Sequence, residues 1–123
     1  MPKVQQSGVL NIPAGATTTQ TGPDIVSDMG ARGVRVVLDM TAFGTGSVTL
    51  TIQGKDRGSG KYYTLLAGAA VVSNATFTYT VFPGATVAAN VSANDCLPDI
   101  WRILCTANNA NPTTYTVGWS TLA

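Results

Sequence analysis

The sequence feature that most constrains the fold is a regular alternation of side chains over residues 33–54. Every second residue in 34–40 and in 48–52 is apolar, and most of the intervening residues are polar. This period-two pattern is typical of strands that bury one face. A glycine-containing stretch, residues 43–46, separates the two runs. We therefore predict a β-hairpin over 33–54, with the rest of the chain covering its apolar face.

The composition supports an all-β chain. The 123 residues include 18 threonines, a β-branched type that favours strands, and no glutamate, a common residue on helix surfaces. Short apolar or alternating runs are separated by turn signals about every ten residues, which is typical of a sandwich or barrel. We predict an antiparallel two-sheet sandwich, jelly-roll-like, with about eight strands.

The length predicts a single domain with an N-terminal extension. Residues 24–123 are expected to form the β-sandwich, and residues 1–23 an N-terminal strand and an extended arm. Within that extension, residues 8–13 read as an edge strand that ends at a proline. Residues 14–23 have no periodicity, so the arm is interpreted either as a flexible terminus or as a segment that embraces a neighbouring subunit.

Four stretches in the second half complete the predicted sandwich. In residues 76–82, aromatic and valine side chains alternate with threonines, so we expect an inward aromatic face and a wet threonine face. Residues 100–106 are largely apolar on both faces, which predicts a central strand or an interface strand. Residues 114–121 are expected to form a closing hairpin with them. Residues 84–95 are predicted to be an irregular connection containing one helical turn.

Charged residues are scarce. They make up 11% of the chain, against about 25% in average globular proteins, and the net charge is +1. This balance gives no basis for binding nucleic acid or an anionic membrane. No run approaches the roughly 18 apolar residues of a membrane span, and the N-terminus lacks the apolar run of a signal peptide, so we expect synthesis in a cytoplasm. A weakly charged surface favours a protein that is packed against other proteins.

No motif indicates catalysis, a cofactor or a metal site. The chain contains no histidine or glutamate, and its six aspartates are scattered and are interpreted as turn residues. Residues 54–61 resemble a phosphate-binding loop only superficially, because the glycine spacing differs and a strand follows. Cys96 and Cys105 lack further soft ligands. We expect Cys105 to be a buried thiol, and a cytoplasm disfavours a disulfide between the two.

The aromatic residues of the predicted strands have two interpretations. They can fill the core, or they can form a stacking platform for a ligand such as a sugar, which would make the chain a carbohydrate-binding module. The residues concerned are Phe77, Tyr79, Trp101, Tyr115 and Trp119.

Segments spread over almost the whole chain resemble a family of small proteins of tailed bacteriophages. They include ARGVRVVLD (31–39), IQGKD (52–56), SGKYYTLL (59–66), YTVFPG (79–84) and NDCLP (94–98). The resemblance implies a virion structural protein made in the bacterial host cytoplasm and, more specifically, a capsid decoration (cement) protein. A tail, neck or head–tail connector location is the alternative. The family has no catalytic residues or cofactor to carry over.

This resemblance implies two partners, the major capsid protein and further copies of the chain, with a homotrimer favoured. We expect contacts through the arm and the loop at 55–61, and a trimer seam along the strand at 100–106. Three charged residues on apolar strands, Arg35, Asp39 and Arg102, are either simply exposed or ion-paired across a sheet or subunit boundary. The candidate contact residues are Val9, Leu10, Ile12, Arg35, Lys55, Arg57, Lys61, Ile100, Arg102 and Leu104.

Overall fold

The computed structural model describes residues 6–27 and 30–122, and these residues form ten strands and no helix. In chain order the strands are β1 (Ser7–Leu10), β2 (Gln20–Thr21), β3 (Ile25–Val26), β4 (Gly33–Ala42), β5 (Val48–Lys55), β6 (Tyr62–Val71), β7 (Thr76–Val81), β8 (Ser92–Ala93), β9 (Ile100–Ala107) and β10 (Thr114–Leu122). The helical turn expected within residues 84–95, at 88–91, is a hydrogen-bonded turn instead, in which the N–H groups of Val91 and Ser92 both donate to the Ala88 carbonyl and Asn90 has a φ of 65°. An isolated bridge between Ala88 and Ser92 occupies this position.

The strands form two sheets with the topology of a jelly roll. The first sheet has the order β1-β10-β4-β7-β8, and the second has the order β2-β9-β5-β6, with β3 also paired to β9. Because β2 and β3 pair with successive parts of β9, they act as one interrupted strand, and β8 adds only a two-residue parallel edge. The eight remaining units have the order 1-8-3-6 and 2-7-4-5, which is the jelly-roll arrangement. The predicted all-β sandwich is confirmed.

Two of the predicted hairpins are wrong. β4 pairs with β10 and β7 in the first sheet, whereas β5 pairs with β9 and β6 in the second. β9 and β10 likewise belong to different sheets. In each case the two strands lie in different sheets, about 10 Å apart, and bury their apolar faces against each other. Alternation alone does not distinguish this arrangement from two strands that are hydrogen-bonded to each other in one sheet. β5 and β6 are the consecutive long strands that do form a hairpin, as predicted.

The core lies between the inward faces of the two sheets. The alternation predicted for β4 and β5 is confirmed, since their even-numbered apolar residues are buried and the intervening residues are half-buried or exposed. On β7, Tyr79 and Val81 are buried while Thr76 and Thr78 are exposed, as expected. The fully buried side chains of the core are Val34, Val36, Leu38, Leu50, Ile52, Val81, Trp101, Ile103, Cys105 and Val117.

β9 is an interior strand of the second sheet, as its two apolar faces predicted. It lies between β5 on one side and β2 and β3 on the other. Trp101 is fully buried and its ring forms a T-shaped contact with Trp119, with 5.1 Å between ring centroids. The alternate residues Ile100, Arg102 and Leu104 are half-buried on the outer face. β9 therefore supplies both the centre of the core and part of an outer surface.

The described part of the N-terminal extension runs along its own domain. β1 is the edge strand of the first sheet, as predicted. Ala16 exchanges backbone hydrogen bonds of 2.8 and 3.0 Å with Thr113, just before β10. The chain then crosses to the second sheet, where the Gly22 N–H donates to the Ile103 carbonyl. A Cβ on Gly22 would lie 2.9 Å from that carbonyl, so this close approach requires glycine. Residues 1–5 of the predicted arm lie outside the described residues.

The face assignment of β5 can be tested by a pair of adjacent substitutions. Leu50→Ala, which removes a fully buried side chain, is expected to lower the free energy of unfolding by about 2–5 kcal/mol. Thr51→Ala, on the outward face of the same strand, is the matched control and is expected to cost about 1 kcal/mol or less. Urea unfolding measures both. Equal costs would show that the two residues do not face opposite sides.

Candidate partner-binding surfaces

The structure distributes the predicted contact residues over three surfaces and the core. The outer face of the second sheet, here called the β9 face, carries Lys55, Ile100, Arg102 and Leu104. The loop between β5 and β6 carries Arg57 and Lys61. The outer face of the first sheet carries Val9 and Arg35. Leu10, only 7% exposed, belongs to the core, and Ile12 packs against it. These last two residues hold the N-terminal segment on its domain, so they are left out of the surfaces described below.

A network of charged, polar and aromatic side chains occupies the β9 face. Lys55 Nζ forms an ion pair of 3.0 Å with Asp24 Oδ2, and the Tyr62 hydroxyl donates to Asp24 Oδ1 at 2.6 Å. The Arg102 guanidinium lies 3.5 Å from the centroid of the Tyr62 ring, and its Nε donates to Gln53 Oε1 at 2.8 Å. These contacts fix the positions of five side chains from four segments of the chain.

The strand register explains why these side chains meet. Lys55 is directly opposite Tyr62 in the β5–β6 pair, and Gln53 is directly opposite Arg102 in the β5–β9 pair. Side chains that lie opposite each other on one face of antiparallel strands are in contact range. Asp24, just before β3, completes the network from the edge of the sheet.

Hydrogen bonding shifts two of the three charged groups of this network, Asp24 and Lys55, toward their charged forms. The bond from Tyr62, followed by the bond from Lys55, lowers the pKa of Asp24 below its ordinary value of 3.8. The bond to Asp24 and its negative charge raise the pKa of Lys55 in turn. Both residues are therefore ionised at neutral pH, and the network carries a fixed arrangement of charge.

Apolar side chains continue the β9 face beside this network. Ile100 and Leu104 are half-buried on either side of Arg102 along β9. Val26, opposite Ile100 in the β3–β9 pair, is 61% exposed. We call Val26, Ile100 and Leu104 the apolar strip. An apolar strip beside fixed polar groups is typical of a protein interface with a hydrophobic centre and a polar rim.

The loop between β5 and β6 is held in one conformation. The Asp56 carboxylate accepts hydrogen bonds from the backbone N–H and the hydroxyl of Ser59, which also lower the pKa of Asp56. Arg57 Nε donates to Asp99 Oδ2 at 2.5 Å and so ties this loop to the segment before β9. Lys61 is exposed and forms no ion pair with any described residue. The loop leads into β6, so it presents no helix N-terminus to a phosphate.

The outer face of the first sheet has a different character. Val9 is 76% exposed and lies directly opposite Gly118, which lies opposite Val37 on its other side. A shallow depression of about 380 Å³ covers this part of the face, and Arg35 lies at its rim. Arg35 forms no ion pair with any residue that the structure describes. Neither Arg35 nor Arg102 forms an ion pair within the described chain, although the sequence analysis considered one for each of them. The two arginines lie on different sheets.

The two cysteines have different environments and are both free thiols. Cys105 is buried beside Tyr115, as predicted, and burial raises the pKa of the Cys105 thiol to about 12. Burial also raises the pKa values of Tyr115 and Tyr79. Cys96 is exposed, and its N–H is hydrogen-bonded by the carboxylate of Asp95.

The aromatic residues considered for ligand stacking lie in the core. Tyr79, Trp101 and Tyr115 are buried, and Phe77 and Trp119 pack against them. The core interpretation is therefore confirmed for Tyr79, Trp101 and Tyr115, whereas Phe77 and Trp119 are half-buried at the edge of the core.

The described residues contain no group of three or more histidine, cysteine, aspartate or glutamate residues that could hold a metal ion. Each of the five described aspartates accepts at least one hydrogen bond, and Asp28 lies outside the described residues. Within the part of the chain that is described, no helix has the length and apolar character needed to cross a membrane.

Sequence reasoning missed three members of the β9-face network, namely Asp24, Gln53 and Tyr62. Asp24 and Tyr62 are 38 residues apart, and their segments lie at opposite edges of the second sheet. No sequence spacing therefore connects them. One signal was present. Lys55 and Tyr62 flank a short loop with turn residues, and a hairpin at that loop places them opposite each other.

Comparison with known proteins gives a likeness in fold. No protein-family model matches the chain, and no curated protein matches it. Among solved structures, the chain is similar to the SPBc2 prophage-derived protein YomS, with a TM-score of 0.54 and 11% sequence identity. The match covers 100% of this chain and 98% of that chain. The whole length of the chain therefore takes part in a fold that another protein shares.

The role of Tyr62 in the network can be tested through Asp24. Tyr62→Phe removes the hydrogen bond that contributes most to lowering the pKa of Asp24, so this pKa is expected to rise toward 3.8. Tyr63→Phe, in the next position of β6, is the matched control and should leave it unchanged. Carbon-detected NMR titration of the side-chain carboxyl measures both values.

The same shift has a consequence for acid stability. Because the folded-state pKa of Asp24 is depressed, its contribution to stability is present above about 3.8 and is lost as the pH falls through the folded-state value. The Tyr62→Phe variant is expected to show a smaller loss over this acidic range. An unchanged Asp24 titration in this variant would contradict the hydrogen bond.

The two thiols are expected to differ in reactivity. The native chain should take up one equivalent of iodoacetamide at neutral pH, at Cys96, because the thiolate of Cys105 is disfavoured and inaccessible. Mass spectrometry should show a second adduct only after unfolding. Cys96→Ser should give an unmodified native chain, and rapid modification of Cys105 in that variant would contradict the buried position.

Proposed function

We propose that the chain is a structural protein of a bacteriophage virion and, specifically, a capsid decoration protein that binds and stabilises the major-capsid lattice. The observation that carries this proposal is the likeness in fold to a prophage-derived protein over the full length of both chains. The segments that resemble small tailed-phage proteins support it independently. The jelly roll is also a fold that recurs in viral capsid proteins.

The physical requirements of a decoration protein suit this chain. A protein that binds only the assembled lattice stabilises that lattice by mass action. Binding is stronger when little conformational freedom is lost, and here the β5–β6 loop and the β9-face network are already fixed by hydrogen bonds and ion pairs. The proposed role uses no catalytic residue and no cofactor.

We assign the lattice contact to the β5–β6 loop, with Arg57 and Lys61, and to the charged part of the β9 face. Lys61 is exposed and has no acidic partner among the described residues, so it is available to a carboxylate of the lattice protein. The described part of the arm lies on its own domain, so it contributes through exposed side chains such as Val9.

A homotrimer is the oligomer that we propose, with the apolar strip of the β9 face as its seam. The strip is the part of this face where exposed and half-buried apolar side chains lie beside a fixed polar network. Removing such side chains from water is the main favourable term in subunit association.

Copy number distinguishes decoration from the alternative location in a tail, neck or connector. Particles purified from the phage that encodes the chain are expected to contain it in numbers comparable to the major capsid protein. Quantitative mass spectrometry of whole particles measures this ratio. Only a few copies per particle would indicate a tail or neck protein, and absence from particles would overturn the proposal.

Binding to capsids that lack the chain tests the proposed contact. Lys61→Glu is expected to weaken co-sedimentation with such capsids by about tenfold, because it reverses the charge of a group that faces the lattice. Thr45→Glu, in the exposed loop at the other end of β5, is the matched control and should bind like the wild type. Equal binding by both variants would exclude the β5–β6 loop from the contact.

A further inference from the structure

Gly118 lies in the interior of β10 at a position where the fold does not require glycine. Its φ is outside the left-handed region that five other described glycines adopt. A Cβ at this position would meet only the carbonyl oxygen of Gly8, at an ordinary contact distance of 3.8 Å. Glycine inside a strand weakens that strand, and it often marks a bulge, a tight bend or a place where a ligand or another backbone approaches closely. The register shift in β10 lies at Thr114/Tyr115 and not at Gly118. Its presence at position 118 therefore points to a contact outside the chain.

The missing side chain at Gly118 creates the depression on the outer face of the first sheet. Val9, Gly118, Val37 and Thr78 lie directly opposite one another in neighbouring strands and form one row across the sheet. The two valines stand on either side of the glycine, and all three residues line the depression of about 380 Å³. Val9, Gly118 and Val37 thus form an apolar part of this row at one side of the depression, whose remaining lining includes Ser7, Arg35 and Ser120.

Two opposite charges flank this row on β4. Arg35 lies two residues before Val37, and Asp39 lies two residues after it, so each is about 7 Å from the row. The described strands carry no other charged residue on this face. Neither charge has an ion-pair partner among the described residues, although Asp39 accepts a hydrogen bond from the Thr76 hydroxyl at 3.2 Å.

We propose that this face joins two copies of the chain about a two-fold axis that runs across the strands along the row. Such an axis reverses the strand direction, so that Arg35 of one copy faces Asp39 of the other, and Asp39 faces Arg35. The valines of the two copies meet at the row, and the absent side chain at Gly118 lets the two sheets approach. Sheet faces with small side chains pack in this way.

The charge pattern selects a second copy as the occupant. A two-fold interface must be complementary to itself, because the same surface serves on both sides. Here β4 carries both an arginine and an aspartate, at equal distances from the row. Each ion pair therefore takes one member from β4 of each copy. The contact lies on the sheet opposite the trimer seam, and it goes beyond the proposed function because it does not depend on a capsid.

Charge exchange tests this contact in the full chain. The wild type is expected to form an even-numbered assembly in sedimentation equilibrium at concentrations up to about 1 mM. In Arg35→Asp, and likewise in Asp39→Arg, positions 35 and 39 carry the same charge, so both contacts of the two-fold interface become repulsive. Each variant should therefore weaken this association by about tenfold or more. An equimolar mixture of the two variants restores both ion pairs and should restore the association. The doubly exchanged chain should also associate like the wild type.

Filling the depression gives an independent test. Gly118→Val is expected to weaken the association by about tenfold or more without lowering the melting temperature, because a Cβ at this position makes only an ordinary contact within one copy and a β-branched residue favours the strand. Thr116→Val, on the same strand and face, keeps the depression open and is the matched control. A wild type that sediments only as a monomer or a trimer overturns the proposal. So does an exchanged pair that fails to associate, or a Gly118→Val chain that associates like the wild type.

Discussion

The burial of two alternating strand faces against each other is the constraint on which the rest of the structure depends. β4 and β5 each present a row of apolar side chains, and the five-residue connection between them is long enough to place the rows face to face. Once both rows point inward, each strand must find hydrogen-bonding neighbours within its own sheet. β10 and β7 supply them for β4, and β9 and β6 supply them for β5. The jelly-roll order follows from this requirement.

The sequence predicted burial better than it predicted pairing. Alternation correctly identified the inward residues of β4, β5, β7 and β9, because a side chain's face follows from the two-residue period of the strand itself. The neighbour of each strand depends on residues far away in the chain, and two predicted hairpins were wrong for that reason. β5 and β6 were paired correctly because a short turn-forming loop leaves them no other arrangement.

The same distinction applies to the candidate surfaces. Arg102, Ile100 and Leu104 were placed on one outer face by alternation alone, and the structure confirms that position. Asp24 and Tyr62 were missed because they meet only through the order of strands in the second sheet. Leu10 shows the opposite limit, since an apolar residue in a terminal segment can equally belong to the core or to a contact. Gly118 indicates a contact surface only once the structure shows that its surroundings have room for a Cβ, and the sequence does not contain this information.

The two outer faces of the sandwich differ in how their charges are used. On the β9 face the charges are neutralised or stacked within the chain, so this face presents fixed geometry with little net charge. On the first sheet Arg35 and Asp39 remain without a charged partner among the described residues. The sandwich therefore has two outer surfaces of distinct chemistry on opposite sides.

The pairing of β1 with β10 has a consequence for synthesis on the ribosome. Ser7 lies opposite Ser120, so the first sheet joins the first and the last strand of the sandwich. β10 is also the strand between β1 and β4, and without it neither has its hydrogen-bonding neighbour on that side. Contacts between such distant segments slow folding. The nascent chain therefore cannot complete its sandwich until the last strand has left the exit tunnel, and until then the half-built core depends on protection from aggregation.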